Sequence, residues 1–66
     1  MNPPPDLDRV RRAMRRLRPI ERAVLTLSAG DGLSNGAVAE RLGISAEAAE
    51  RHLARALCKL DRALHG

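Results

Sequence analysis

Four charged side chains in the second half of the chain recur at the spacing of one helix face: Glu47, Glu50, Arg51 and Arg55. Steps of three and four residues place side chains on the same side of a helix. An arginine on such a face can donate hydrogen bonds to a guanine edge or to a phosphate. Glu47 can accept a hydrogen bond from a cytosine amino group. The pattern therefore indicates a helix that contacts nucleic acid.

The two carboxylates on this face also allow an interpretation without any ligand. Glu47 precedes Arg51 by four residues, which is the spacing of an ion pair within a helix, and Glu50 favours the start of a helix. An unmatched carboxylate beside a polyanion costs affinity, and Ala54 has no side chain that reaches a base. Both interpretations remain open at this point.

The residues just before this face indicate how it is positioned. Ala39 is small where two helix backbones approach, and Gly43 stands where a left-handed turn residue is commonly needed. Ile44 is the apolar residue beneath the turn, and Ser45 can cap the following helix. This spacing is typical of a helix-turn-helix, whose second helix is placed to enter a DNA groove. The predicted DNA-contacting residues are Ser34, Ser45, Ala46, Glu47, Glu50, Arg51 and Arg55. The two serines act through the helix-start amides beside them, which can face phosphates.

Helical periodicity continues through the rest of the chain and predicts an all-α fold, a small four-helix bundle. Three prolines predict a flexible tail over residues 1–5, and Asp6 is a suitable N-cap where a single domain over 6–66 begins. The predicted helices span residues 7–17, 19–29, 35–42 and 46–64. The predicted buried residues are Leu7, Val10, Met14, Leu17, Ile20, Ala23, Val24, Leu27, Val38, Ala39, Leu42, Ala49, Leu53, Ala56, Leu57, Leu60, Ala63 and Leu64.

Charge is distributed unevenly along the 66 residues. The net charge of +4 lies entirely within residues 1–22, whereas residues 23–66 are neutral. Arginines predicted to contact phosphate or a partner protein are Arg9, Arg12, Arg15, Arg16 and Arg22. The alternative is a solvated helix face that only keeps the protein in solution.

Composition limits the remaining classes of protein. Without Phe, Tyr or Trp the core is thin, and we expect a net stability of about 3–5 kcal/mol. A single cysteine and the lack of a signal peptide or membrane-spanning run fit a cytoplasmic protein with no membrane partner. The sequence offers no phosphate loop and no nucleophile–base pair, so we predict no catalytic residues and no cofactor. Helix geometry separates Cys58 from His52, so a metal or redox sensor with His65 is disfavoured and no metal site is predicted.

Four stretches resemble region four of bacterial sigma factors, in particular the extracytoplasmic-function group. They are residues 17–25, 31–34, 38–45 and 50–57, and the last is similar to the iron-citrate-regulator branch. The resemblance implies that the last helix reads the minus-35 promoter element and that earlier helices dock on the flap of the RNA polymerase beta subunit. Ala49 departs from it, since a larger branched residue is usual there. Nothing resembles region two, so we expect either an excised domain or a free-standing sigma-like regulator.

Two other functions remain open. One is a protein-interaction module that binds polymerase, an anti-sigma factor, a separate sigma-like subunit or itself, with little specific DNA binding. The acidic helix start and the thin core favour it. The other is a response-regulator type of helix-turn-helix, which residues 32–35, 52–53 and 59–60 also resemble. The sequence sets neither the promoter sequence nor the oligomeric state.

Overall fold

Four α-helices account for the architecture of the computed structural model, which describes residues 7–65 and, of Leu7, the backbone alone. They are α1 (Leu7–Met14), α2 (Pro19–Leu25), α3 (Asn35–Leu42) and α4 (Ala46–His65), and α2 continues as a π-helical turn over Thr26–Gly30. The predicted all-α fold with a helix-turn-helix is confirmed. The predicted tail over 1–5, the Asp6 cap and the burial of Leu7 concern positions outside the described residues.

The first helix is shorter than predicted: α1 ends at Met14 and not at residue 17. A tighter turn follows, in which the Arg16 N–H donates to the Ala13 carbonyl at 3.1 Å. Arg18 is extended, with ψ of 155°, because a residue that precedes proline is disfavoured in the helical conformation. Leu17 is therefore buried from the connection between α1 and α2 and not from a helix.

The second helix also differs from its predicted range of 19–29. Regular α-helix ends at Leu25, and the wider π-helical turn carries the chain on to Gly30. The Asp31 N–H donates to the Thr26 carbonyl at 3.2 Å and so closes this turn. Gly32 follows with φ of +68°, a backbone conformation that glycine adopts without steric cost. The chain is thereby redirected into α3.

The longest helix, α4, packs against each of the other three. Ala49 and Ala56 are fully buried on it, and their small side chains allow α2 and α3 to approach closely. Two clusters result, one around Val24, Val38, Ala39 and Ala49 and the other around Leu17, Leu25 and Ala56. Leu53 packs against both clusters and so joins them into one core.

Among apolar residues, burial departs from the predicted pattern at three positions. Leu57 was expected in the core but is 51% exposed, because it lies about 100° around α4 from the buried Ala56. Leu25 and Ala13 are buried although neither is among the predicted buried residues. Both belong to the side of the molecule where α1 covers α4, and that packing depends on contacts distant in sequence.

Candidate nucleic-acid interface

The turn between α3 and α4 is held by its own backbone. Gly43 ends α3 in the left-handed conformation, with φ of 67° and ψ of 34°. The Ile44 N–H donates to the Ala39 carbonyl at 3.0 Å, and the Gly43 N–H donates to the Glu40 carbonyl at 3.3 Å. These two bonds satisfy carbonyls that the helix end would otherwise leave unpaired. Ile44 then packs against the core cluster around Val24, which fixes the turn on the body of the domain.

A serine caps each helix of the motif. Ser34 Oγ accepts a hydrogen bond from the Ala37 N–H at 3.2 Å, and Ser45 Oγ accepts one from the Ala48 N–H at 3.0 Å. Both serines are exposed. Since each cap takes up one amide, the remaining helix-start amides are the groups left to face a phosphate.

Among the residues that the structure describes, no element covers one side of the first ten residues of α4. This outer face of α4 consists of Ala46, Glu47, Glu50, Arg51, Ala54 and Arg55, all of which are exposed. The opposite side carries Ala49 and contacts α2 and α3. The structure thus brings the four predicted charged residues together on a single accessible surface at the start of the second helix of the motif.

The outer face has balanced charge, with two carboxylates and two guanidinium groups. Within the described part of the chain, no ion pair joins Glu47 to Arg51, although their spacing allows one. Arg51 and Arg55 therefore remain available to an incoming acceptor. The side chains of Ala46 and Ala54 project little from α4, so a ligand can approach the helix backbone closely.

The predicted arginine cluster divides into two sets. Arg9, Arg12 and Arg16 line a shallow depression together with Ala13 and Ala63, where α1 crosses the end of α4. We call these five residues the arginine depression. Arg15 and Arg22 are exposed but are not part of its lining. Arg9 also has a structural contact, because its Nη2 donates to the Leu64 carbonyl at 2.8 Å.

A partly buried ion pair between α2 and α4 was not predicted from the sequence. Glu21 is 1% exposed, and its Oε1 lies 2.7 Å from Lys59 Nζ. The same oxygen accepts the Arg18 N–H at 2.8 Å. The hydrogen bond from Lys59 is the main cause that lowers the pKa of Glu21, the Arg18 bond lowers it further, and burial opposes both. A glutamate two residues after a helix-start proline was the available signal, since that position reaches back to the N-cap amide.

The residues considered for a metal or redox site do not form a group. His52 is half-buried, and its Nδ1 is buried without a hydrogen-bond partner, whereas Cys58 and His65 are exposed. Over the range 7–65, no three His, Cys, Asp or Glu side chains lie close enough together to hold a metal ion. His52 has the position of a helix residue at the edge of the core.

The capped turn, the two helices and the accessible outer face define a helix-turn-helix domain. The domain belongs to one particular family of helix-turn-helix domains. The chain belongs to the sigma-70 region 4 family, whose model matches residues 7–60. This match confirms the resemblance to sigma factors and favours it over the response-regulator interpretation of the same motif. Members of the family contact promoter DNA and RNA polymerase and are not catalytic.

The other comparisons add no relative. Neither a curated protein nor a solved structure matches the chain significantly. None of the helices in the described range has the length and apolar character needed to cross a membrane.

Proposed function

We propose that this chain is a cytoplasmic transcription protein that binds minus-35-type promoter DNA through the outer face of α4 and RNA polymerase through its earlier helices. The observation that carries the proposal is the exposure of that face at the start of the second motif helix. In a helix-turn-helix, this part of the second helix enters the major groove. Membership of the sigma-70 region 4 family supports the same assignment.

Four residues of the outer face have a chemical role in this proposal. Arg51 and Arg55 donate to a guanine edge or to a phosphate, and Glu47 accepts from a cytosine amino group. Ala46 allows the backbone to come close to the duplex. The amides beside Ser34 and Ser45 contact phosphates at the two ends of the turn.

Glu50, together with Glu47, limits the affinity of the outer face for DNA. Two carboxylates offset the two arginines, so the face has no excess of positive charge with which to attract DNA at long range. Binding therefore depends on paired contacts and not on bulk attraction. We expect weak affinity for unrelated sequences and a clear preference for a matching one.

The polymerase contact is assigned to the apolar residues of α1 and α2, with the beta flap as the partner. Val10, Met14 and Ile20 are half-buried and so retain apolar surface that a partner can cover. RNA polymerase also accounts for the cytoplasmic location in this proposal. An anti-sigma factor or a separate sigma-like subunit would compete for the same surfaces.

The proposal is tested by binding a minus-35-type duplex and a scrambled duplex over a range of salt concentrations. We expect the Arg51→Ala variant to lose about 1–3 kcal/mol on the preferred duplex and much less on the scrambled one. Arg62→Ala is the matched control, because Arg62 is also exposed on α4 but lies beyond the outer face. Equal losses on both duplexes would reduce Arg51 to a phosphate contact, and no preference in the unsubstituted protein would refute specific recognition.

A protein-interaction module remains the second candidate, and Leu57 is the observation that favours it. It is the one large hydrophobic residue among those described that is mainly exposed, at 51%. A polymerase flap fragment that binds while both duplexes fail to bind would support this candidate. Loss of flap-fragment binding in the Leu57→Ala variant would place the contact at Leu57.

A further inference from the structure

The arginine depression opens where α1 crosses the last turns of α4. Arg9, Arg12 and Arg16 follow one another at steps of three and four residues, so their guanidinium groups lie along one side of α1 and the turn after it. The charged residues of the lining, among those described, are these three arginines. Three positive charges at one depression favour an anionic ligand.

The floor of the depression is apolar and small. Ala13 is 3% exposed and Ala63 is half-buried, so two methyl groups lie between the arginines. The depression encloses about 310 Å³, which accommodates a short apolar side chain between the guanidinium groups. A simple inorganic anion would leave this floor uncovered. The lining therefore matches a segment that carries carboxylates on either side of an apolar residue.

Arg9 is already held in place for such a contact. Its Nη2 donates to the Leu64 carbonyl at 2.8 Å, near the end of α4. This bond uses one of the five N–H donors of the guanidinium group and restricts where the remaining donors lie. A partly fixed arginine loses less conformational freedom on binding a carboxylate.

The depression faces away from the surface proposed to bind DNA. Ala63 lies 16 positions after Glu47, about 160° around α4 and about 24 Å along its axis, and 8 positions after Arg55, about 80° and about 12 Å. A duplex seated on the first turns of α4 therefore lies on the opposite side of this helix from Ala63. This separation favours a protein over nucleic acid as the occupant.

We propose that the arginine depression is a docking site for an acidic segment of a partner protein. Carboxylates of the segment pair with Arg12, Arg16 and the free donors of Arg9, and an apolar side chain covers Ala13 and Ala63. The inference goes beyond the proposed function and holds whether or not the outer face of α4 binds DNA.

The probe for this site is a helical peptide of glutamate and alanine, compared with the same peptide containing glutamine in place of glutamate. In a low-salt titration, we expect the glutamate peptide to shift backbone amide signals around Arg12, Ala13 and Ala63. The Arg12→Gln/Arg16→Gln variant should bind the glutamate peptide at least about fivefold more weakly, as expected for the loss of two exposed ion pairs. The Arg11→Gln/Arg18→Gln variant removes the same charge outside the lining and should change affinity by less than about twofold.

A second variant tests the floor without altering charge. Ala63→Leu fills the depression and should weaken binding of the glutamate peptide to a similar extent. Circular dichroism shows whether each variant remains folded. Equal weakening in both arginine pairs would reduce the effect to diffuse attraction and overturn the site. So would binding of the glutamine peptide, a lack of binding to the glutamate peptide, or shifts confined to the outer face of α4. If Arg12→Gln/Arg16→Gln weakens a DNA duplex and not the peptide, the depression is a phosphate contact and the proposal fails.

Discussion

Gly43 shows how one residue determines the path of the chain between α3 and α4. Its φ of +67° is costly for any residue with a Cβ, yet apart from Gly43 and its two chain neighbours no atom lies within 4 Å of where that Cβ would be. The cost of a side chain at this position is therefore a backbone cost. A Cβ has room at Gly43, but the left-handed backbone conformation disfavours it.

We accordingly expect Gly43→Ala to destabilise the domain by about 1–2 kcal/mol, measured by urea unfolding. Gly36→Ala is the matched control, because Gly36 is inside α3 with ordinary helical φ and its added Cβ would meet only Ser34 Oγ at 4.0 Å. That variant should gain about 0.5–1 kcal/mol. A loss of equal size in both variants would contradict the backbone explanation.

The Glu21 carboxylate makes the folding stability of the domain depend on pH. Its folded-state pKa lies below the ordinary value of 4.5, since Lys59 and the Arg18 N–H both stabilise the charged form. The folded state therefore binds the proton less readily than the unfolded chain. This contribution is fully present above about pH 4.5 and is lost as the pH falls through the folded value.

We expect Lys59→Met to cost about 1–3 kcal/mol at neutral pH, because it leaves a buried carboxylate unpaired. The loss stays below that of a fully buried pair, since Lys59 is 39% exposed and partly screened by water. Glu21→Gln should cost less, as its amide oxygen still accepts the Arg18 N–H. The stability difference between this variant and the unsubstituted protein should shrink below pH 4.5, and a constant difference would refute the linkage.

The features that the sequence predicts best are those local to one helix. The caps at Ser34 and Ser45 and the left-handed turn at Gly43 follow from residue type and spacing alone. The burial of Leu25 and the exposure of Leu57 do not, because both depend on the side from which a distant helix approaches. The accessible outer face of α4 was predictable for the same local reasons, whereas its ligand was not.

At the scale of whole helices, the close packing of α4 depends on alanine. Ala56 is fully buried beside Leu17 and Leu25, so a longer side chain there must displace one of them. We expect Ala56→Leu to destabilise the domain by about 1–3 kcal/mol in thermal unfolding. Ala54→Leu adds the same atoms to the exposed side of the same helix and should be nearly neutral. Equal effects would show that helix propensity, and not packing, controls this region.

For the domain as a whole, we expect a small free energy of unfolding. It contains no aromatic residue, and its two core clusters consist of Leu, Ile, Val, Met and Ala. A net stability of about 3–5 kcal/mol is typical of such a small core. Binding to polymerase or DNA would add to this by mass action, so the folded population rises with partner concentration.

Leu53 contributes to the stability of both core clusters. Because it packs against both, Leu53→Ala should remove about 2–3 kcal/mol, a large share of the total. Leu57→Ala makes the same change one turn later at a position that is 51% exposed, and it should alter stability by less than about 0.5 kcal/mol. Denaturant unfolding followed both by circular dichroism and by amide signals from each cluster measures the result. A single weakened transition is expected for Leu53→Ala, because neither cluster has enough apolar surface to persist alone. Two separate transitions would show that the cluster around Val24 and the cluster around Leu17 unfold independently.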